Sequence, residues 1–253
     1  MLAEQRRKRI LELIEAKNSI SVAELGQIFG VSEMTIRRDL RSLDREGFLK
    51  RVHGGAIADR GRSYEPPFLI RAPESAGEKE AIGRKAASLV KDGDSVALDV
   101  GSTTLQVAKA LVGVQNLTII TSSLRIAAVL SSAPGIRLIV TGGIVREGEM
   151  SLVGHLAQRA YQDFRVDKAF IGVGGLDLAN GLTEYNLEDA LVKREIVNHA
   201  ARVIVVADSS KLGRTCFASV APLSRVHTLV TDSHGPAELM AKLVQKGVEV
   251  IQA

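Results

Sequence analysis

A chain of 253 residues, 45% of them hydrophobic, has the material for two globular domains, each with its own core. One cysteine, Cys216, excludes an internal disulfide and a thiolate metal cage; Glu12 and Glu15 interrupt any signal-peptide apolar region, and no later stretch suits a membrane span, so a reducing cytoplasm is the expected location. The net charge of +4 lies wholly in residues 1–62, which hold 13 Lys and Arg against 9 Asp and Glu, while residues 63–253 hold 20 of each; a polyanion partner is therefore expected at one end only.

Residues 5–16 place Ile10, Leu11, Leu13 and Ile14 on one side of a helix. After Ser19-Ile20-Ser21 a second helix is expected over 22–29, with Ser21 and Glu24 spaced as a capping box and Gly30 as the turn that follows. Ser32 then caps a third helix, in which Ile36, Leu40 and Leu43 make a buried stripe and Gly47 marks the end. Its other faces carry Thr35, Arg37, Arg38 and Arg41, short hydroxyls and long cations suited to base edges and phosphates in a major groove. Such a helix taken alone is a solvated face, because Glu33, Asp39, Asp44 and Glu46 stand at pairing distances along it. The order of elements and the charge asymmetry shift the weight toward DNA. Residues 48–53 alternate as a short strand and Gly54-Gly55 signals a turn, giving a recognition helix followed by a β-wing.

Helix, helix, glycine turn, helix and wing make a winged helix-turn-helix. The run ISVAELGQIFGVSEMTIRRDLRSLDREGFLKRVHGGA resembles the DNA-binding module of the DeoR family of bacterial transcriptional regulators. That resemblance implies double-stranded operator DNA as a partner, with Thr35, Arg37 and Arg38 at bases or nearby phosphates, Arg41 on the same helix, and Ser32, Arg51 and His53 as backbone or wing contacts. The expected organisation is a DNA-binding domain over 1–58, a linker over 59–76 marked by Gly61, Pro66, Pro67 and Pro73, and an α/β domain over 77–253.

Helical periodicity resumes over 78–90 and closes at Asp92-Gly93-Asp94. Apolar runs at 95–100, 117–121, 136–141, 169–173, 203–207, 228–231 and 248–251 then alternate with helical segments at 103–111, 124–130, 187–201 and 237–246. This is the pattern of an α/β fold with a largely parallel sheet covered on both faces, in which ligands bind at the carboxyl ends of the strands. Those ends are polar: Asp99 to Thr104 opens a helix, Thr121-Ser122-Ser123 and Thr141-Gly142-Gly143 follow the next two strands, Gly172 to Gly175 follows the fourth, and Lys211 comes after the fifth. Singly each is an ordinary turn or cap; their recurrence points to a phosphorylated small molecule. Asp177 stands where a dinucleotide fingerprint needs its third glycine, no P-loop occurs, and His155, His199, His227 and His234 lack metal-ligand spacing, so no cofactor or metal is expected.

This part is similar to the family's effector-sensing domain, which resembles ribose-5-phosphate isomerase in fold. The resemblance implies a sugar-phosphate effector held by Asp99, Gly101, Ser102, Thr103 and Thr104, with Thr121, Gly142, Gly143, Gly174 and Lys211 completing the rim; Ser122 joins from its own loop. The isomerase's Asp-Gly-Ala-Asp-Glu loop falls on Gly172-Val173-Gly174-Gly175-Leu176, which has no carboxylate, so a non-catalytic regulator is expected. The rivals are an isomerase-like enzyme with an appended DNA-binding module, working through Glu184, Glu188 or Asp189, and a nucleotide-cofactor sensor. A homodimer or homotetramer is expected, because one small reading head buries little DNA surface and paired half-sites multiply affinity.

Overall fold

Apolar residues at helical spacing build the first unit around a small core. The computed structural model describes residues 2–17, 19–45, 48–57 and 61–253, and the chain divides into the units Met1–Glu74 and Ser75–Ala253. In the first, helix α1 (Ala3–Lys17) is followed by strand β1 (Ser19–Ser21), α2 (Val22–Phe29), α3 (Glu33–Arg45), β2 (Lys50–Val52), β3 (Gly55–Ile57) and α4 (Phe68–Arg71). Ile10, Ile14, Leu25, Ile36, Leu40 and Leu43 close the core between the three long helices. Each such side chain contributes about 1.5–3 kcal/mol on burial. The Ser21 hydroxyl accepts from the Glu24 amide at 3.1 Å, and Gly30, at φ 62°, ends α2 in the left-handed conformation that makes the turn into α3.

The wing is a three-stranded antiparallel sheet in the order β1-β3-β2. Ser19–Ser21, unassigned in the sequence reading, pairs with β3, and Gly55 belongs to β3 rather than to the turn. Strands of three residues are too short for alternation to register. The stretch read as a linker carries α4, whose Ile70 packs into the first unit's core. Gly47, Glu46 and the expected boundary at 58/59 lie outside the described residues.

The second unit runs α5 (Ala76–Ala87), β4 (Ser95–Leu98), α6 (Ser102–Ala110), β5 (Leu117–Thr121), α7 (Leu124–Leu130), β6 (Ile136–Val140), β7 (Ile144–Arg146), β8 (Ser151–Val153), α8 (His155–Gln162) and β9 (Val166–Ile171). It continues with β10 (Gly175–Asp177), β11 (Gly181–Glu184), α9 (Leu187–Asn198), β12 (Ala200–Val206), β13 (Ala218–Ala221), β14 (Thr228–Thr231), α10 (Ala237–Gln245) and β15 (Glu249–Gln252). Seven strands form one sheet in the order β15-β14-β12-β9-β4-β5-β6, every neighbouring pair parallel. These are the seven runs expected from sequence. Val96, Leu98, Phe170 and Ile204 face α5, α6 and α7, while Ala97, Ala169, Ile171 and Val205 face α8 and α9. Two small antiparallel sheets, β7-β8 and β10-β11-β13, belong to the same unit.

The chain steps outward from β4 to β5 and β6, then returns to the other side of β4 with β9 and proceeds to β12, β14 and β15. The topological switch point therefore lies between the carboxyl ends of β4 and β9. Among the described residues no helix is long and apolar enough to cross a membrane.

Candidate functional site

In the first unit, α3 turns Ile36, Asp39, Leu40 and Leu43 inward. Met34, Arg37, Arg38 and Arg41, at i, i+3, i+4 and i+7, share the opposite, exposed face. With Thr35 they line an open groove of about 590 Å³ that also touches Ala3, Arg6 and Asp39. Ser32 begins the helix: its hydroxyl accepts from the Thr35 amide at 3.3 Å and lies 3.0 Å from the Thr35 hydroxyl. Arg37 pairs with Glu33 at 3.2 Å in solvent. Asp39, grouped by sequence with the acids that could quench the arginines, is instead buried and accepts from Arg6 on α1 at 2.6 Å. It ties two helices together and leaves the arginine face exposed. The wing presents Arg51 and His53 to solvent, with the Arg51 amide held by Asp44 at 3.0 Å and His53 lining a second groove of about 360 Å³. The sequence reading missed Met34; its place at helical spacing from three arginines was the available signal.

In the second unit, α6 starts at Gly101, whose φ of 136° is closed to other residues, and no side chain caps that end. Ser102, Thr103 and Thr104 are buried in its first turn, and the Thr104 hydroxyl donates to the Gly101 carbonyl at 2.9 Å. An uncapped helix start at a switch point carries the positive end of the helix dipole to that place. At the end of β5, the Thr121 hydroxyl donates to the Leu98 carbonyl at 2.7 Å and accepts from the Ser123 amide at 3.1 Å. Ser122 is buried beside it.

Asp99 sits at the switch point itself. Its Oδ2 accepts from the Gly172 amide at 3.0 Å, across from β4 to β9, and from the Lys193 ammonium of α9. Lys193 also donates to the Gly172 carbonyl at 2.9 Å and pairs with Glu184 Oε2 at 3.2 Å. All three charged groups are buried. Burial pushes the Asp99 carboxyl up to about 6 against the opposing pull of Lys193, while the charges of Asp99 and Glu184 hold the Lys193 ammonium protonated despite its own desolvation.

Asp99, Gly101 to Thr104, Thr121 and Ser122 thus come together at the adjacent ends of β4 and β5. Gly142 and Gly143 follow the edge strand β6, joined to β5 through the Thr141 amide and Thr121 carbonyl at 3.2 Å. Gly174 packs close to Glu184, Tyr185 and Cys216, and Lys211 lies in the turn after β12, two strands from β4. Sequence reasoning missed Lys193 and Arg146, which pairs with buried Asp189 at 2.5 Å. The signal for Lys193 was its helical phase with Ala190 and Val197, a cation on the apolar side of α9.

A basic winged helix on one unit and a parallel sheet with a polar switch point on the other define a two-domain transcriptional regulator. Residues 6–61 match the DeoR-like helix-turn-helix domain, and residues 74–233 match the DeoR C terminal sensor domain. The chain belongs to the DeoR family, and its activity is the regulation of transcription rather than catalysis. It is 40% identical over 251 residues to YulB, an uncharacterized HTH-type transcriptional regulator of Bacillus subtilis, covering 99% of this chain and 96% of that one. The glycerol-3-phosphate regulon repressor of Escherichia coli K12 is 32% identical over 246 residues, 97% of each chain. Among solved structures, ribose 5-phosphate isomerase A from Methanocaldococcus jannaschii aligns over 53% of each chain with a TM-score of 0.40 and 20% identity.

Proposed function

We propose that the chain is a cytoplasmic repressor of a sugar-metabolism operon whose grip on operator DNA is set by a phosphorylated sugar bound at the strand ends of the second unit. The observation that carries the effector half is the uncapped start of α6, with Ser102, Thr103 and Thr104 buried around it at the switch point. A dianionic phosphate suits that helix end, and a relative at 32% identity is named for a phosphorylated polyol. In this reading Asp99, Gly101 and Thr121 shape the site, with Ser122, Gly142, Gly143, Gly174 and Lys211 around it. On the DNA side, Thr35, Arg37, Arg38 and Arg41 enter the major groove, Ser32 sits at the helix start near the backbone, and Arg51 and His53 extend along it from the wing.

The working form is a homodimer or homotetramer that sets two reading heads on paired half-sites. The effector acts by preferring one arrangement of protomers, through the junction between the DNA-binding unit Met1–Glu74 and the sensor unit Ser75–Ala253. Thermal-shift screening of the full chain against sugar phosphates, parent sugars and nucleotides tests the effector half. The expected hit needs its phosphate and is lost in Thr103→Val. Failure of every phosphate to raise the melting temperature of a folded protein removes the sensor reading and leaves the DNA half.

A further inference from the structure

Three buried side chains next to the phosphate loop have polar atoms without a hydrogen-bond partner: Asp99 Oδ1, the Ser151 hydroxyl and the Tyr161 hydroxyl. Their residues are 1%, 0% and 2% exposed. Buried polar atoms are ordinarily satisfied, so three in one neighbourhood call for a cause. The fold brings them together from separate elements. Asp99 ends β4 and Ser122 ends the adjacent β5, while Ser151 in β8 lies against the Ser122-Ser123 turn, through the Ser123–Ser151 bridge and the Leu152 amide donating to the Ser122 carbonyl at 2.7 Å. Tyr161, on α8, packs in the same core as Ala97 of β4 and Leu152 of β8, and burial, with the nearby Asp99 charge adding to it, pushes its hydroxyl up.

We infer that Ser151 and Tyr161, with Asp99 and Ser122, form a hydroxyl-reading floor beside the start of α6, on which hydroxyls of the phosphorylated effector are seated. The chemistry is complementary. Asp99 Oδ1 only accepts, and the serine and tyrosine hydroxyls both donate and accept, which suits a ligand hydroxyl better than a second anion or an apolar group. This inference rests on the sensor reading above and adds to it two residues, Ser151 and Tyr161.

Titration calorimetry on the full chain tests it with three probes: inorganic phosphate, glycerol 3-phosphate and glucose 6-phosphate. Tyr161→Phe and Ser151→Ala each remove one oxygen, and their melting curves verify folding. In the wild type at least one of the two esters binds more tightly than inorganic phosphate. In each variant that ester binds roughly tenfold more weakly, the loss of about one hydrogen bond, while inorganic phosphate changes less than about twofold. Esters that bind no better than inorganic phosphate overturn the inference, as do variants whose ester affinity is unchanged, which would leave only water on the floor. Thr103→Val separates the two readings, since it weakens inorganic phosphate and ester alike. A wild type that binds none of the probes overturns the sensor reading and this inference together.

Discussion

The two units place their charges in opposite ways. On the reading head Arg37, Arg38 and Arg41 stand in solvent, and the Arg37–Glu33 pair is exposed on both sides. In the sensor, Lys193, Asp99 and Glu184 are buried together at the switch point. Exposed charge is screened by salt and contributes little to stability, so it stays available to a polyanion. Buried charge is bound to its neighbours, because each ion has lost its water and depends on its partners. The Arg6–Asp39 pair behaves in the same way within the head, joining α1 to α3. A charged residue's availability to a partner therefore follows from its burial and not from its type.

The largest effect that separates the two regimes is predicted for Lys193→Ala. It leaves Asp99 and Glu184 buried without their cation and is expected to cost about 3–5 kcal/mol. Urea unfolding at pH 7 measures this directly, and a cost below about 1 kcal/mol would mean that water already reaches the carboxylates. A second test follows from Asp99, whose carboxyl is raised to about 6, with burial the dominant cause. A raised carboxyl is fully favourable to folding below the unfolded value of about 4, and that benefit is lost as pH rises through about 6, by up to about 3 kcal/mol. Relative to Asp99→Asn, the wild type should thus melt progressively lower between pH 4 and 7. The opposite slope would mean that attraction to Lys193 outweighs desolvation.

Much of this was readable from sequence because it is periodic. Apolar spacing gave the three helices of the head and the seven strands of the parallel sheet, and glycine and hydroxyl residues after β4 and β5 marked the strand ends. The remainder depends on contacts between distant segments. Nothing local distinguishes Asp39, whose partner is Arg6 on another helix, from Asp44, which holds the wing's Arg51 amide. Lys193 meets Asp99 across 94 positions of sequence, and Ser151 meets the β5 end through a two-stranded hairpin too short to show alternation. Pairing of that kind is set by topology, which one sequence specifies only through the whole fold.

On the exposed side, Arg38→Ala is expected to weaken operator binding by about 1–2 kcal/mol per head, roughly 5- to 30-fold, with stability and effector binding unchanged. Fluorescence anisotropy at two salt concentrations measures both affinity and salt slope. A change in affinity with no change in slope would assign Arg38 to bases rather than phosphates. Unchanged affinity would remove it from the reading face.

The smallest effect sharpens the comparison most. Glu33 opens α3, where an acid suits the helix dipole, and pairs with Arg37 in solvent. Glu33→Gln should therefore cost less than about 1 kcal/mol of stability, against several for Lys193→Ala. On DNA its effect has the opposite sign. Arg37 is released from its partner and a negative charge leaves the face, so operator affinity should rise about two- to fivefold, with the salt slope steeper by about one counterion. If affinity falls instead, the Glu33 carboxylate is holding Arg37 in its binding pose, and that exposed pair serves structure just as the buried ones do.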